Sequence, residues 1–209
     1  MSVNAAQRLQ TLYTEFRGLL TASAAESRFD ADFLHPVFGE GNPKSELLLI
    51  GEAPGAEEAA IGRPFVGKAG KQLDELLREA GILRENIYIT NAVKYRPVTC
   101  SGRSVRNRTP SAGEVGDALP NLEREILLLA PKVIATLGNT PLRAVLRLAC
   151  QPQETIGLCH GQARSICVDT HICTLFPLYH PASGIYQRPL IDVMRRDARL
   201  LGEQLVKQQ

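Results

Sequence analysis

The sequence predicts an α/β fold, a three-layer αβα sandwich around a four-stranded, mostly parallel sheet. Short continuous apolar runs, typical of buried strands, alternate with longer segments whose apolar residues recur at helical spacing. The 209 residues are enough for one domain with a sizeable core, and the sequence shows no internal repeat. We therefore expect a single domain over residues 1–209, with an N-terminal helix at about 5–21 and a core at about 37–200.

The four expected strands are apolar runs that stop at turn-forming residues. The first run ends at Gly51, which opens a turn containing Pro54 and Gly55. An alternating, hairpin-like stretch at 163–173 leads into the last run. The four runs lie at 47–50, 87–90, 133–137 and 174–179.

Amphipathic segments predict three of the helices that cover the sheet. One occupies 5–21, a second runs from about 67 to 80 and stops at Gly81, and the last begins near Pro189. Their inward-facing residues are expected to be Leu9, Leu12, Tyr13, Phe16, Leu19, Leu20, Leu73, Leu76, Leu77, Ala80, Leu190, Ile191, Met194, Ala198, Leu201 and Leu205.

Two further helices are predicted from the residues that begin them. Ser111 and Glu114 have the spacing of a capping box, and Pro120 should kink or divide the helix that follows. Thr140 precedes a proline, which predicts an N-cap and a short helix at about 140–148.

Composition and charge limit the function classes. No apolar run approaches the ~18 residues of a membrane span, and the N-terminus has no apolar signal core, so we expect a mature cytoplasmic protein without a membrane partner. The net charge is only +2, so a polyanion would have to meet a local basic patch. Arg103, Arg106 and Arg108 form such a patch in a polar loop at about 96–110, although a plain solvated loop is equally consistent with them.

The five cysteines are odd in number and include no C-x-x-C pair, which favours a reducing cytoplasm over a disulfide framework. His160 and His171 lie near the last three of them. Cys167 and Cys173, however, stand in alternating apolar sequence, so we expect small buried residues and no metal site.

Polar residues follow all four expected strands. Because ligands bind outside the carboxyl ends of parallel strands, we expect these residues to share one cleft. They are Glu52 to Gly55, Asn91, Gly138-Asn139 and His180.

A nucleotide phosphate is the first alternative ligand for this cleft. The chain contains neither G-x-x-x-x-G-K-[ST] nor G-x-G-x-x-G. In addition, Glu52 and Glu58 would repel a phosphate. Both observations weaken this alternative.

Several separated motifs, in this order and spacing, resemble the uracil-DNA glycosylase superfamily and within it most closely family 4. The resemblance covers roughly residues 37–200, and separated motifs together are far more specific than any one of them. The motifs are G-E-G-N-P (39–43), G-E-A-P-G (51–55), G-R-P-F-V-G-K-A-G (62–70), N-A-V-K-Y-R-P (91–97), N-R-T-P (107–110), P-K-V-I-A-T-L-G (131–138) and H-P-A-S (180–183).

The resemblance implies hydrolysis of the N-glycosidic bond of uracil in DNA, the first step of base excision repair, with the base flipped into a pocket. It implies that Phe65 stacks on the uracil, Asn91 reads its Watson–Crick edge and His180 donates to O2. Glu52, Glu58 and the Asn91 carbonyl are the candidates for positioning the attacking water. The loop that would wrap the base and sugar contains Gly51, Glu52, Ala53, Pro54 and Gly55.

The same resemblance implies uracil-containing DNA as the partner, bound by a monomeric, monofunctional enzyme. Arg103, Arg106 and Arg108 would contact the DNA. A second loop would enter the minor groove, with Ile185 as its apolar wedge. A plain strand-to-helix connection is the alternative for this loop, which contains Ser183, Gly184, Ile185 and Tyr186.

The chain departs from family 4 at the four cysteines that hold an iron–sulfur cluster in that family. Tyr95 and Ala118 occupy two of the matching positions, and the region near Ala22 to Ala25 has no C-x-x-C. We therefore expect no cluster and no other cofactor.

Two residues differ from the best-known branch of the superfamily. Ala53 replaces an Asp that orients the water there, which a dissociative path through an oxocarbenium-like sugar tolerates. Gly55 replaces a Tyr that blocks the thymine methyl group there, so exclusion of thymine must come from elsewhere or be incomplete, and the second alternative predicts activity at G·T mismatches.

Two other functions stay open on the sequence. One is a protein that grips uracil-containing or abasic DNA without turnover, covalently through a His as in one branch. The sequence offers no second His beside His180 for such an adduct. The other is a glycosylase for hypoxanthine or xanthine, since Asn91 favours uracil without excluding deaminated purines.

Overall fold

The computed structural model describes residues 4–26 and 35–207, apart from the side chains of residues 21–26 and of Tyr186. Its main sheet has six strands in the order β1-β3-β2-β6-β8-β7, and β4 pairs with β5 in a separate hairpin. The strands are β1 (Glu40–Gly41), β2 (Leu47–Gly51), β3 (Tyr88–Asn91), β4 (Val98–Ser101), β5 (Ser104–Asn107), β6 (Val133–Leu137), β7 (Arg164–Val168) and β8 (His171–Leu178).

Eight α-helices and one 3₁₀ turn, Arg84–Asn86, connect the strands in the described part of the chain. The long helices confirm the predicted positions to within a few residues. In chain order the helices are α1 (Ala5–Glu26), α2 (Ala56–Ile61), α3 (Lys68–Glu79), α4 (Ala112–Leu129), α5 (Asn139–Leu148), α6 (Ile156–Cys159), α7 (Pro181–Tyr186) and α8 (Leu190–Val206).

The four predicted strands form the parallel centre of the sheet. β3, β2, β6 and β8 run parallel to one another, whereas β1 and β7 are antiparallel strands at the two edges. β2, β3 and β6 are buried throughout, as expected for strands covered on both faces. The α/β fold with a mostly parallel sheet is therefore confirmed, with an antiparallel strand added at each edge.

Alternate residues of β2 point to the two apolar layers of the molecule. Leu48 and Ile50 belong to one hydrophobic cluster, which also contains side chains of α1, α4 and α5. Leu47 and Leu49 belong to the other, which contains side chains of α3 and α8. This alternation produces the three-layer sandwich and fixes which strand residues lie below each set of helices.

Helix caps agree with the sequence at three of the predicted ends. Ser111 and Glu114 form the predicted capping box at the start of α4, and Pro189 is the N-cap of α8. Gly81, with φ of 71°, follows α3 in the left-handed conformation that glycine adopts readily. α4 nevertheless continues through Pro120 without a break, so of the two predicted effects of this proline, a kink or a division, the division does not occur.

Two predicted element starts are also wrong. The N-cap of α5 is Gly138 rather than Thr140; with φ of 94° it takes a conformation that side chains disfavour. The fourth central strand begins at His171 rather than at 174, because its first half pairs with β7 in the hairpin predicted at 163–173.

The polar stretch at 96–110 contains a β-hairpin that the sequence analysis described as a loop. β4 and β5 are joined by Gly102 and Arg103, and Gly102 has φ of 58°, which suits a two-residue hairpin turn. From residue 99 to 107 the hairpin is exposed, so it has no buried face and its sequence shows no apolar alternation.

Two residues expected in the core are exposed. Leu19 is 66% exposed, although Leu9, Leu12, Tyr13 and Phe16 of the same helix are buried. Cys167 is exposed because it faces away from the core between the buried residues Ile166 and Val168. No helix within the described ranges combines the length and apolar character needed to cross a bilayer.

Candidate active site

The carboxyl ends of three of the central strands, β2, β3 and β8, meet at a cleft of about 360 Å³. Gly138 and Asn139, which follow β6, were expected in the same cleft but do not line it; the Asn139 side chain instead accepts the Ile156 N–H at 2.8 Å. β2 and β3 bring Gly51 directly opposite Asn91, and the segment after β8 brings in His180. Ten of the predicted site residues line the cleft: Glu52, Ala53, Pro54, Gly55, Glu58, Phe65, Asn91, Arg108, His180 and Ile185.

Phe65 enters the cleft from the connection between α2 and α3. Its φ of 52° lies in the left-handed region, which costs a bulky residue free energy unless its surroundings hold it there. Backbone hydrogen bonds on both sides provide that restraint. Arg84 Nη2 donates to the Pro64 carbonyl at 3.0 Å, and Glu58 Oε1 accepts from the N–H groups of Val66 (3.1 Å) and Gly67 (2.9 Å).

Asn91 is the last residue of β3 and only 2% exposed. The turn after it is tied to the neighbouring loop, because the N–H groups of Ala92 and Val93 donate to the carbonyls of Gly51 and Glu52 at 2.8 and 3.0 Å. Gly51 has no room for a side chain: a Cβ there would lie 2.3 Å from Asn91 Oδ1 and 2.5 Å from Phe65 Cζ. The amide and the ring therefore both pack directly on the Gly51 backbone.

His180 is the N-cap of α7, and its Nδ1 accepts the N–H of Ala182 at 3.1 Å. Because a backbone N–H can only donate, the neutral imidazole must carry its proton on Nε2. Burial lowers the pKa of His180, while the charges of Glu52 and Glu58 act in the opposite direction. Its ring centroid lies 6.4 Å from that of Phe65.

The two acidic residues of the cleft have different environments. Glu52 Oε2 accepts the hydroxyl proton of Thr140 at 2.6 Å. Both carboxylate oxygens of Glu58 bind the loop itself, since Oε2 accepts the Gly55 N–H at 3.1 Å in addition to the two bonds of Oε1. Glu58 is thus committed to backbone groups.

These groups suit a planar, polar heterocycle. An aromatic face offers stacking, an amide offers one donor and one acceptor side by side, and a neutral imidazole N–H can stabilise negative charge that develops on a bound carbonyl oxygen. A carboxylate beside them can orient water.

Comparisons with known proteins identify the family. The model of the Uracil DNA glycosylase superfamily matches residues 38–198, which is more than half of the chain. The chain belongs to this superfamily. It is 38% identical over 170 residues to the Type-4 uracil-DNA glycosylase of Saccharolobus solfataricus, covering 81% of this chain and 76% of the relative.

Other Type-4 enzymes of the superfamily show similar agreement. The one from Archaeoglobus fulgidus is 35% identical over 173 residues, covering 83% of each chain. The one from Thermotoga maritima is 47% identical over 106 residues, covering 51% of this chain and 52% of the relative.

An iron–sulfur cluster of the Type-4 kind does not suit the residues at the matching positions, because neither Tyr95 nor Ala118 offers a thiolate. Tyr95 is instead hydrogen-bonded to the carboxylate of Glu114. Burial and this carboxylate raise the pKa of the Tyr95 phenol. Arg108 binds the same carboxylate at 2.6 and 2.8 Å and holds its pKa at about 2. No group of three or more potential metal-binding side chains is present among the described residues.

The remaining cluster positions, near Ala22 to Ala25, belong to α1, whose side chains from 21 to 26 lie outside the described residues. Their identities alone exclude cysteine ligands there.

Only some of the residues predicted to bind DNA line the cleft. Arg103 and Arg106 lie on the exposed hairpin. The second predicted loop is a short helix, α7, in which Ile185 is 41% exposed but Gly184 is buried, with a Cβ there only 3.2 Å from Met194 Sδ. Gly184 therefore packs on α8, whereas Ile185 faces solvent.

Asn107 lines the cleft without having been given a role from the sequence. Its Oδ1 accepts from Arg96 Nε at 2.6 Å, and a Cβ at position 55 would lie 3.5 Å from its Nδ2. Its place in the N-R-T-P motif was the available signal. Because asparagine is common in exposed polar loops, its occurrence at position 107 did not by itself indicate a role.

Proposed function

We propose that this protein is a uracil-DNA glycosylase that flips uracil out of DNA and hydrolyses its N-glycosidic bond, the first step of base excision repair. The observation that carries the proposal is the meeting of Phe65, Asn91 and His180 in one cleft, in a chain that belongs to the superfamily. Type-4 relatives at 35–38% identity over most of the chain support it.

Phe65 and Asn91 would select the base. The ring stacks on the flipped pyrimidine, and the amide of Asn91 accepts from N3–H and donates to O4. Cytosine has the opposite donor and acceptor pattern at these atoms, so it would leave buried groups unpaired and be rejected. The 2% exposure of Asn91 makes that mismatch costly because water cannot satisfy the unpaired groups.

His180 would stabilise the leaving group. The C1′–N1 bond breaks, its electron pair leaves with uracil, and O2 accepts a hydrogen bond from the Nε2–H that the Ala182 contact dictates. Water adds to C1′ and gives up one proton, and the uracil anion takes up one proton, so the products are free uracil and an abasic deoxyribose. A neutral donor positioned in advance is suited to the charge that develops on O2.

Glu52 is the residue that we propose to position the water. Thr140 holds one of its carboxylate oxygens, which leaves the other for a hydrogen bond to water. The two alternatives are more heavily engaged by protein donors: Glu58 binds three backbone N–H groups, and the Asn91 backbone carbonyl accepts from the Lys94 ammonium group at 2.7 Å. Glu58 would therefore act by positioning Phe65 and Gly55.

The hairpin and α7 are the proposed contacts with DNA outside the cleft. Both ends of the hairpin lie at the cleft, because Pro97, which precedes β4, and Asn107 and Arg108, at the end of β5, line it. Arg103 and Arg106 therefore project from the rim of the cleft, where they can contact phosphates. Ile185 lines the same cleft and is the proposed wedge between bases. We further propose that the protein acts as a monomer, and that it does so in the cytoplasm, which an odd number of cysteines without a C-x-x-C pair favours.

The test is release of free base from oligonucleotides that carry uracil, thymine, hypoxanthine or xanthine, opposite each normal base and unpaired. We expect multiple turnovers with uracil, weaker release of thymine opposite guanine, and no release of either purine. A stable DNA adduct that survives denaturation would instead show a non-turnover binder, and preferential release of a purine would show a different base specificity.

A further inference from the structure

A buried cluster of polar residues lies directly behind Asn91. Lys94 and Glu125 form an ion pair at 2.5 Å, and the side chains of both are 0% exposed. Three hydroxyl groups, from Tyr13 of α1 and from Tyr88 and Thr90 of β3, complete the cluster.

Every polar hydrogen of this cluster has an acceptor. Lys94 Nζ donates to Glu125 Oε2, to Thr90 Oγ1 at 2.6 Å and to the Asn91 carbonyl at 2.7 Å, which uses all three N–H bonds of an ammonium group. Thr90 donates to Glu125 Oε2 at 3.1 Å, and Tyr13 donates to Glu125 Oε1. Because the Tyr13 proton is used, Tyr88 is the donor in the 2.7 Å bond between the two phenols.

The cluster packs tightly against Gly39. A Cβ at Gly39 would lie 2.5 Å from Tyr88 Cε1, 2.8 Å from Glu125 Oε1 and 2.9 Å from Tyr13 Oη. The Lys94 backbone is fixed as well, since its carbonyl accepts the Val37 N–H at 2.6 Å. The ammonium group can therefore move little without breaking several contacts.

Stability alone does not explain this arrangement. Removing two charges from water costs about as much free energy as their attraction returns, and apolar pairs of similar volume are often at least as stable. The distinctive contact is the one to Asn91, because it restrains the backbone of the residue that would read the base. A lysine three positions further along thus fixes the end of β3 without lining the cleft itself.

We propose that Lys94 is a positioning residue for base recognition: held by Glu125 and Thr90, it fixes the Asn91 backbone so that the amide meets uracil in one orientation. This inference rests on the proposed glycosylase function. It assigns a role to a buried ion pair that does not line the cleft.

The test compares a charge-free variant with a matched control. Lys94→Met combined with Glu125→Gln removes both charges, leaves an amide for Tyr13 and Thr90, and deletes the donor to Asn91. Tyr88→Phe is the control, because it removes a buried hydroxyl of the same cluster and leaves the Lys94 contacts intact. Thr90→Val, which removes one of the two groups that hold Lys94, is the second test variant and is informative if the double variant does not fold.

Three quantities are measured for each variant: uracil release at saturating enzyme, affinity for uracil-free duplex DNA, and the thermal unfolding midpoint. We expect uracil release by the double variant to fall about 10- to 100-fold, as for a misplaced reactive group, with unchanged affinity for uracil-free DNA. Thr90→Val should show a smaller loss of the same kind. Tyr88→Phe should lower the unfolding midpoint and change uracil release by less than about twofold.

Wild-type release of uracil separates this inference from the proposed function. If the wild-type protein releases none, the glycosylase assignment fails. If it releases uracil and a folded Lys94 or Thr90 variant does so equally fast, the positioning role is wrong. A loss that Tyr88→Phe reproduces to the same extent, in step with the unfolding midpoint, would also overturn it in favour of a purely structural role.

Discussion

His180 shows how one backbone contact can determine the chemistry of a side chain. The Ala182 N–H occupies Nδ1, so the proton of the neutral ring is on Nε2. Burial favours the neutral ring further by lowering its pKa below the ordinary value of 6.5. The residue is thereby prepared as a neutral hydrogen-bond donor at neutral pH.

This predicts the acid side of the pH profile of uracil release. Because the pKa of His180 is lowered, the neutral form persists below pH 6.5, and the rate should fall only as the pH drops through that lowered pKa. The measurement is single-turnover uracil release against pH, with affinity for uracil-free DNA as the control. A rate that already falls by half above pH 6.5, with DNA affinity constant, would contradict the assignment.

Gly51 gives a second prediction at the residue scale. Gly51→Ala places a Cβ within 2.5 Å of both Asn91 Oδ1 and Phe65 Cζ, so we expect uracil release to fall about 100-fold as the amide and the ring are displaced. Gly113→Ala in α4 is the matched control, because the nearest atom to its Cβ is Ser111 Oγ at 3.9 Å. Equal activity of the two folded variants would show that close packing on Gly51 is unimportant.

Some site residues could be predicted from their position at a strand end, and others only from a sequence motif. Strand ends pointed to Asn91 and His180 before any resemblance was considered, because the ends of parallel strands share an edge of the sheet. Phe65 lies in no strand, and only its motif indicated a role. Asn107 and Lys94 also stand in motifs, but no role was assigned to them, since a hydrogen bond to Arg96 or to a backbone carbonyl leaves no mark on a single sequence.

At the scale of elements, the β4–β5 hairpin is the part of the proposed DNA interface most easily removed without disturbing the fold. Its residues from 99 to 107 are exposed, so substitutions there leave the core intact. Arg103→Ala with Arg106→Ala should weaken DNA binding and reduce the salt slope by up to about two, one for each lost phosphate contact.

Uracil release at saturating enzyme should be unchanged in that double variant, because the cleft is intact. Arg124→Ala is the control. Arg124 pairs with Glu15 of α1 at 2.7 Å and is not part of the proposed DNA interface. Salt-dependent binding measured for the three proteins checks the prediction. An unchanged slope in the hairpin variant would exclude the hairpin from the DNA interface.

Elements with a buried face were predictable, and exposed ones were not. α3 and α8 were found within one or two residues because their apolar residues repeat at helical spacing. The hairpin and the short helices α2, α6 and α7 have too little buried surface for such a pattern. Pro120 does not divide α4, because surrounding packing, including the buried Leu119 and Leu122, outweighs the local cost of a proline inside the helix.

At the scale of the whole molecule, the question is how the chain keeps its fold without cluster cysteines. Tyr95, Arg108 and Glu114 connect the base of the hairpin to the first turn of α4. The Tyr13–Glu125 bond connects α1 to α4. Side-chain hydrogen bonds thus join the hairpin and α1 to α4. Cysteines at the positions that match the cluster ligands would join the same segments through a metal cluster.

We therefore predict that the purified protein is colourless and free of iron, and that a chelator leaves its unfolding midpoint and its uracil release unchanged. Visible absorption and elemental analysis test this on freshly purified protein. Glu114→Ala provides the positive control, because it breaks the bonds to Arg108 and Tyr95 and should lower the midpoint. Iron–sulfur absorption, or loss of activity on chelation, would contradict the prediction.

The central claim is that an aromatic ring, an amide and an imidazole act together on one flipped uracil. Its most direct test is single-turnover release of uracil from one oligonucleotide by wild-type protein, Asn91→Ala and His180→Ala, with folding and affinity for uracil-free DNA measured in parallel. The account predicts rapid release by the wild type and a loss of about 100-fold or more in each folded variant. Release by either variant at the wild-type rate would contradict it.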